Sequence, residues 1–157
     1  MKIIINHSEK LTEHFTIGEF LRSETAQKLQ LPNVPLKCHI TCMQNLCVRS
    51  LEPIRQHLGL PLLITSGYRC EALNRAVGGV STSQHLKGEA ADITIPMSHR
   101  PFGHPTDEQT ARLIFSYAQQ YAEFDQLILE HSGCKWWVHI SCRIDTRRNR
   151  HQTIGNL

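Results

Sequence analysis

A histidine and an aspartate seven residues apart, His85 and Asp92, flank a turn at Gly88. The run after this turn, residues 90–95, is short, apolar and rich in β-branched side chains, which predicts a strand. Because successive side chains point to opposite faces of a strand, Asp92 lies on the face opposite Ile93. An ionised carboxylate is costly to bury unless it is paired or binds a metal ion. Since a catalytic zinc site combines three protein ligands with one open position, these two residues predict a zinc site that needs a third ligand.

The third ligand is predicted to be His139, which lies far downstream in the apolar run 136–142. That run also reads as a strand, in which Val138 and Ile140 face the core and His139 points to the other face. A single histidine on a strand is more often structural than a ligand. Here the chain already offers a histidine and an aspartate that need a third ligand, and this favours a metal-binding role for His139.

A carboxylate for proton transfer is predicted at Glu130, the last residue of the preceding strand. If the two strands form a hairpin, Glu130 lies near His139 in cross-strand register. A carboxylate in that place can take a proton from water and pass it to a leaving amine. The alternatives are that Glu130 is a solvated acid at a strand end, or that His131 in the turn is the base.

Four further residues are candidates for substrate binding. Arg69 follows a strand and a glycine turn, and its planar guanidinium suits a substrate carboxylate, although a surface arginine is an equal alternative. Ser83 either orients His85 or caps the turn. Tyr68 and Trp137 either form walls of the cleft or belong to the core.

The composition is that of a soluble globular protein: 157 residues, 40% hydrophobic, 20% charged and a net charge of +3. We expect one domain over 1–157, with a core at 15–142 and a basic, solvated tail at 143–157. The charge is too weak to indicate nucleic-acid binding. No apolar run approaches the ~20 residues of a membrane span, and the N-terminus does not resemble a secretion signal. We therefore expect a monomer that is cytoplasmic as synthesised, with its six cysteines as free thiols.

The elements predicted to position these residues begin with helices. Two sequences typical of capping boxes, at Thr16 and Thr106, precede helical runs. A long helix over 36–58 is expected to kink or divide at Pro53 and to end at Gly59. Helices are also predicted near 23–29 and 71–76, and strands at 62–65, 90–95, 124–130 and 136–142. The predicted class is α+β, with N-terminal helices packed on a small, mainly antiparallel sheet.

Two motifs resemble a known family. The pattern S-x-H-x-x-G-x-A-x-D at 83–92, followed by W-x-H at 137–139, resembles the zinc D-Ala-D-Ala carboxypeptidases and related peptidoglycan peptidases. These enzymes share a metal-site fold with the Hedgehog signalling domain. The sequence S-G-Y-R at 66–69 and the segment 15–20 resemble the branch found in bacterial and prophage genomes.

The resemblance implies a zinc site whose ligands are His85, Asp92 and His139, and a substrate-binding role for Arg69. Many relatives carry the catalytic glutamate three residues before the second histidine, where this chain has Trp136. The Hedgehog-like pattern of F-D, alternating apolar residues and glutamate is closer to 124–130, which assigns the catalytic role to Glu130.

The function implied is that of a zinc metallopeptidase that cleaves peptidoglycan stem peptides, as a D-Ala-D-Ala carboxypeptidase or an L,D-endopeptidase. The prophage branch suggests a lysis enzyme, or endolysin, that acts on the cell wall after release or lysis. The alternative is a non-catalytic zinc-containing module that binds the wall or a protein, because the Hedgehog relatives keep this metal site in a domain used for recognition.

Overall fold

The computed structural model describes residues 4–104 and 106–155. The chain begins with two short helices, α1 (Ile17–Leu21) and α2 (Glu24–Lys28). The predicted capping box of α1 is present, because Glu19 Oε2 accepts a hydrogen bond from the Thr16 backbone N–H at 2.7 Å. Helix α1 buries Phe20 completely, and this anchors the N-terminal segment against the core.

The long predicted helix is interrupted, but not where the proline stands. Helix α3 (Lys37–Leu46) runs through a π-helical turn at Cys47–Leu51 into α4 (Glu52–Leu58). In a regular α-helix the ring of Pro53 would clash with the carbonyl of Arg49, and Arg49 lies inside the π-helical turn. The irregularity therefore lies one turn before Pro53, and Gly59 ends α4 in the left-handed conformation, as predicted.

The remaining elements are two helices and a five-stranded sheet. The helices are α5 (Glu71–Ala76) and α6 (Asp107–Tyr121). The strands are β1 (Leu63–Ser66), β2 (Ala90–Thr94), β3 (Gln126–Ser132), β4 (Lys135–Ser141) and β5 (Gln152–Ile154). Their order in the sheet is β1-β2-β4-β3-β5, and every neighbouring pair is antiparallel except β3 and β5. The predicted α+β class with a mainly antiparallel sheet is confirmed.

The two faces of the sheet have different roles. One face packs on α6 and the N-terminal helices, with Ile93, Val138 and Ile140 fully buried, as the alternation of the strands predicts. The opposite face carries Asp92 and His139. Within the described ranges, 4–104 and 106–155, no helix combines the length and apolar character needed to span a bilayer.

The sequence did not indicate how the tail pairs with the rest of the fold. Most of residues 143–155 are exposed, yet β5 adds to the edge of β3 in parallel. The fully buried carboxylate of Asp125 accepts a 2.6 Å hydrogen bond from Arg150 Nη2 and lies 3.2 Å from Arg143 Nε. This ion pair joins residues far apart in sequence, so no local pattern indicates it. The division into one domain over 1–157 stays a prediction.

Candidate metal centre

Two of the predicted ligands face each other across neighbouring strands. In the antiparallel pairing of β2 and β4, Asp92 lies directly opposite His139. Their side chains approach on the open face of the sheet, with His139 Nδ1 at 3.0 Å from Asp92 Oδ1. The alternation along each strand therefore placed both residues on the correct face.

The remaining predicted ligand, His85, lies in a turn rather than on a strand. His85 lies in a 3₁₀ turn at Gln84–Lys87, which ends at Gly88 with φ of 74°. A Cβ at Gly88 would meet the carbonyl oxygen of His39 at 2.5 Å, so only glycine fits there. The turn brings His85 Nε2 to 3.3 Å from Asp92 Oδ1. One donor atom from each of the three side chains lies within 4.8 Å of the others.

The hydrogen bonds of His85 determine which ring nitrogen is available. Its Nδ1 lies 2.6 Å from the carbonyl oxygen of Gly67, and because a carbonyl oxygen only accepts, Nδ1 carries the proton. In the neutral imidazole, Nε2 then holds a lone pair that points at a carboxylate oxygen of Asp92. Two lone pairs at this distance repel unless a proton or a metal ion lies between them. The donor set therefore fits a cation of the zinc type.

Asp92 keeps its charge although it is buried. Burial by itself raises the pKa of a carboxyl group. When a proton rather than a metal ion lies between His85 and Asp92, the charge of the protonated His85 and the hydrogen bonds with His139 and His85 outweigh burial and hold the pKa of Asp92 well below its usual range. The carboxylate is therefore ionised and available to a cation at neutral pH.

Arg69 lies against the metal ligands. Its Nη2 donates to Asp92 Oδ2 at 3.3 Å, its Nε donates to Ser66 Oγ at 3.0 Å, and its backbone N–H donates to the His85 carbonyl. The sequence left open whether Arg69 binds the substrate or lies on the surface. In the structure its guanidinium orients the Asp92 carboxylate, and Arg69 is part of the cavity wall.

Glu130 lies on the same face of the sheet as the metal ligands, but in a register different from the predicted one. The residue opposite His139 on β3 is Ile128, and Glu130 is opposite Trp137. Glu130 is thus a diagonal neighbour of His139, about 7 Å along β3 from Ile128. Its Oε2 accepts a 2.8 Å hydrogen bond from Trp137 Nε1.

The other candidates fall into distinct places. His131 points to the opposite face of the sheet from Glu130 and stacks on Trp136, with ring centroids 4.4 Å apart. Ser83 Oγ accepts from the His85 backbone N–H at 3.3 Å, so it caps the turn. Tyr68 is buried, stacks on His39 and lines a neighbouring cavity rather than the metal site.

A cavity of about 690 Å³ opens over the metal ligands. Its walls include the three ligands together with Glu130, Arg69 and Ser83. They also include residues that sequence reasoning missed: Lys87, Gln126, Ile128, Arg143 and Arg150. The alternation along β3 indicates Gln126 and Ile128 once Glu130 is suspected, whereas no local signal points to the two tail arginines.

Two histidines and an aspartate that converge over the open face of the sheet, with a glutamate in the same cavity, are the donor set and proton acceptor that a metal-dependent hydrolase requires. The chain belongs to the family Peptidase M15, whose sequence profile matches residues 13–141. A comparison with curated proteins found no match. Family and site together show a metallopeptidase with a candidate metal centre at His85, Asp92 and His139.

Proposed function

We propose that this protein is a zinc-dependent peptidase that cleaves the stem peptides of peptidoglycan, as a D-Ala-D-Ala carboxypeptidase or an L,D-endopeptidase. The observation that carries the proposal is the convergence of His85, Asp92 and His139 in one cavity with Glu130. The donors come from a turn and two strands. The chain that carries them belongs to a family of peptidases.

The residues have separate roles in this proposal. Zinc held by the three ligands would supply Lewis acidity, which polarises a peptide carbonyl and makes water more acidic. Glu130 accepts a proton from the attacking water and returns it to the leaving amine. Trp137 holds one oxygen of Glu130, and the other oxygen is engaged by no residue of the described part of the chain. Arg69 keeps the Asp92 carboxylate in position.

The substrate class is proposed from the resemblance to the peptidoglycan peptidases. Stem peptides contain D-residues and free carboxylates, and the site offers cationic side chains such as Arg69 at the cavity wall. We propose the setting that the resemblance implies, which is cell-wall cleavage by a prophage lysis enzyme.

The test uses zinc-loaded protein and purified muropeptides, with products separated by liquid chromatography and identified by mass. We expect release of D-Ala or of a cut stem peptide, loss of this activity with a chelator, and recovery when zinc is restored. The substitution Glu130→Gln should lower turnover by about 100- to 10,000-fold while zinc binding persists, because it removes the proton acceptor alone.

The same assay separates the enzyme from a binding module. If the wild-type protein binds zinc and muropeptides but releases no product, the non-catalytic alternative replaces the proposal. Equal turnover by the wild type and Glu130→Gln would contradict the role given to Glu130.

A further inference from the structure

The tail contributes to the metal cavity although it lies outside the part of the chain that matches the family. The match ends at residue 141, yet Arg143 and Arg150 are both part of the cavity wall. These two side chains therefore lie outside the part of the site that the family match covers.

Both arginines are held in place by the fold. Arg150 donates to the Asp125 carboxylate from its backbone N–H, from Nε and from Nη2, at 2.7, 3.0 and 2.6 Å. The backbone of Arg143 is tied at both ends, since its N–H donates to Asn149 Oδ1 and its carbonyl accepts from Asn45 Nδ2. The guanidinium of Arg150 and the backbone of Arg143 are thus fixed beside the cavity.

The charges at this point are unbalanced. Arg143 Nε lies 3.2 Å from Asp125 Oδ1 without hydrogen-bond geometry, and its terminal nitrogens donate to no residue of the described ranges. One buried carboxylate thus faces two guanidinium groups, which leaves one positive charge toward the cavity. Among the described residues, four cationic and two acidic side chains line the cavity, which are Arg69, Lys87, Arg143, Arg150, Asp92 and Glu130.

The position of the pair relative to the metal centre follows from β3. Gln126, Ile128 and Glu130 alternate onto the cavity face, and Ile128 lies opposite His139. Asp125, which holds the arginines, precedes Gln126 at one end of this row, and Glu130 lies at the other. Alternate residues of a strand are about 7 Å apart, so the arginines and Glu130 flank the metal centre on opposite sides.

We propose that Arg143, supported by Arg150 and Asp125, forms a subsite for a carboxylate of the substrate peptide, on the side of the metal centre away from Glu130. This inference rests on the proposed peptidase function. A guanidinium with free terminal N–H groups binds a carboxylate through two parallel hydrogen bonds. Because a peptide extends by about 3.5 Å per residue, the recognised carboxylate lies about two residues from the scissile bond.

The experiment compares two synthetic peptides that differ only in carrying a carboxylate or a carboxamide at that position. The zinc-loaded full chain should cleave the carboxylate form with about 10- to 100-fold higher kcat/KM, expressed mainly in KM. Arg143→Gln should lose most of this preference, and it leaves the hydrogen bonds between Arg150 and Asp125 in place. Thermal unfolding of the variant verifies that it is folded.

The matched control is Arg147→Gln, which makes the same charge change in the same tail. The Arg147 side chain is 89% exposed, pairs with Asp145 and is not part of the cavity wall. The preference should survive this change. A preference retained by Arg143→Gln, lost equally in Arg147→Gln, or absent from the wild type would overturn the subsite.

Failure of the proposed reaction is distinguishable from failure of the subsite. If the wild-type protein cleaves neither peptide, the peptidase proposal fails, and calorimetric titration of the zinc-loaded protein with the two peptides still measures the subsite. Tighter binding of the carboxylate form that depends on Arg143 supports it, and equal affinities overturn it.

Discussion

The carboxylates of Asp92 and Glu130 each accept an orienting hydrogen bond through one oxygen, so that the other oxygen faces the candidate metal centre or the cavity. Asp92 Oδ2 accepts a hydrogen bond from Arg69, and Asp92 Oδ1 lies close to the rings of both histidines. Glu130 Oε2 accepts a hydrogen bond from the indole N–H of Trp137. The groups that orient these two carboxylates are therefore an arginine and a tryptophan, two of the four residues that the sequence suggested for contact with substrate.

Removing the orienting group of Asp92 should weaken metal binding. We expect Arg69→Gln to lower zinc affinity by about 10- to 100-fold, because a ligand carboxylate without its supporting hydrogen bond is less well aligned. Competition with a chromophoric chelator measures the affinity. Arg75→Gln is the control, since Arg75 is exposed and pairs with Glu71 at 3.7 Å, away from the candidate metal ligands. Equal affinities for the wild type and Arg69→Gln would show that Arg69 has no part in the centre.

Removing the orienting group of Glu130 should affect turnover and leave the metal alone. Trp137→Phe keeps an aromatic ring but deletes the N–H donor, and we expect kcat to fall about 10-fold with unchanged zinc affinity. Trp136→Phe is the matched control, because Trp136 faces the other side of the sheet and stacks on His131. If both variants keep the wild-type kcat, the hydrogen bond to Glu130 does not contribute to the reaction.

Among the elements, the turn that carries His85 is the most constrained. It has few residues, and its position depends on Gly88, which combines a left-handed φ with close contact to the backbone of α3. Gly59 has a similar φ of 69° but lies in open space. A comparison of substitutions at the two glycines therefore distinguishes the energetic cost of a left-handed backbone from the cost of a steric clash with α3.

Substitution of each glycine by alanine tests this difference. Gly59→Ala should lower the free energy of unfolding by about 1 kcal/mol, the cost of a left-handed non-glycine residue. Gly88→Ala should lower it at least twice as much, because the new Cβ would meet His39 O at 2.5 Å and α3 or the turn must shift. Urea unfolding followed by circular dichroism gives both values. Equal losses would mean that the turn moves freely against α3.

The elements that the sequence predicted well are those defined by local signals. The period of two in β2 and β4 placed Asp92 and His139 on one face, and the capping box at Thr16 located α1. The register of the β3–β4 hairpin was missed because it depends on where the turn lies, and the strands continue to Ser132 and from Lys135. Glu130 therefore lies two residues from its expected partner position.

At the scale of the whole molecule, the sequence predicted least where the interactions join distant residues. The arginines after residue 142 read as a solvated tail because like charges without apolar neighbours show no partner in a local window. In the fold, Asp125 is buried beneath them, and the hydrogen bond from Gln152 N to the Asp125 carbonyl starts β5. The closing strand of the sheet therefore begins at the backbone carbonyl of Asp125, and the two arginines of the cavity wall lie against the carboxylate of the same residue.

The last prediction concerns this carboxylate and pH. Burial opposes ionisation of Asp125, but hydrogen bonds from Arg150 and the nearby positive charge of Arg143 outweigh it and hold its pKa below the usual range. A lowered folded-state pKa means that the ion pair stabilises the fold above about pH 4 and that this stability is lost as the pH falls further. Asp125→Asn should therefore lower the free energy of unfolding by about 1–3 kcal/mol near pH 7, with the difference from wild type shrinking below about pH 4. Urea unfolding across this pH range measures the difference in free energy of unfolding between the wild type and Asp125→Asn, and Asp145→Asn is the control. A difference that stays constant down to pH 2 would contradict the prediction.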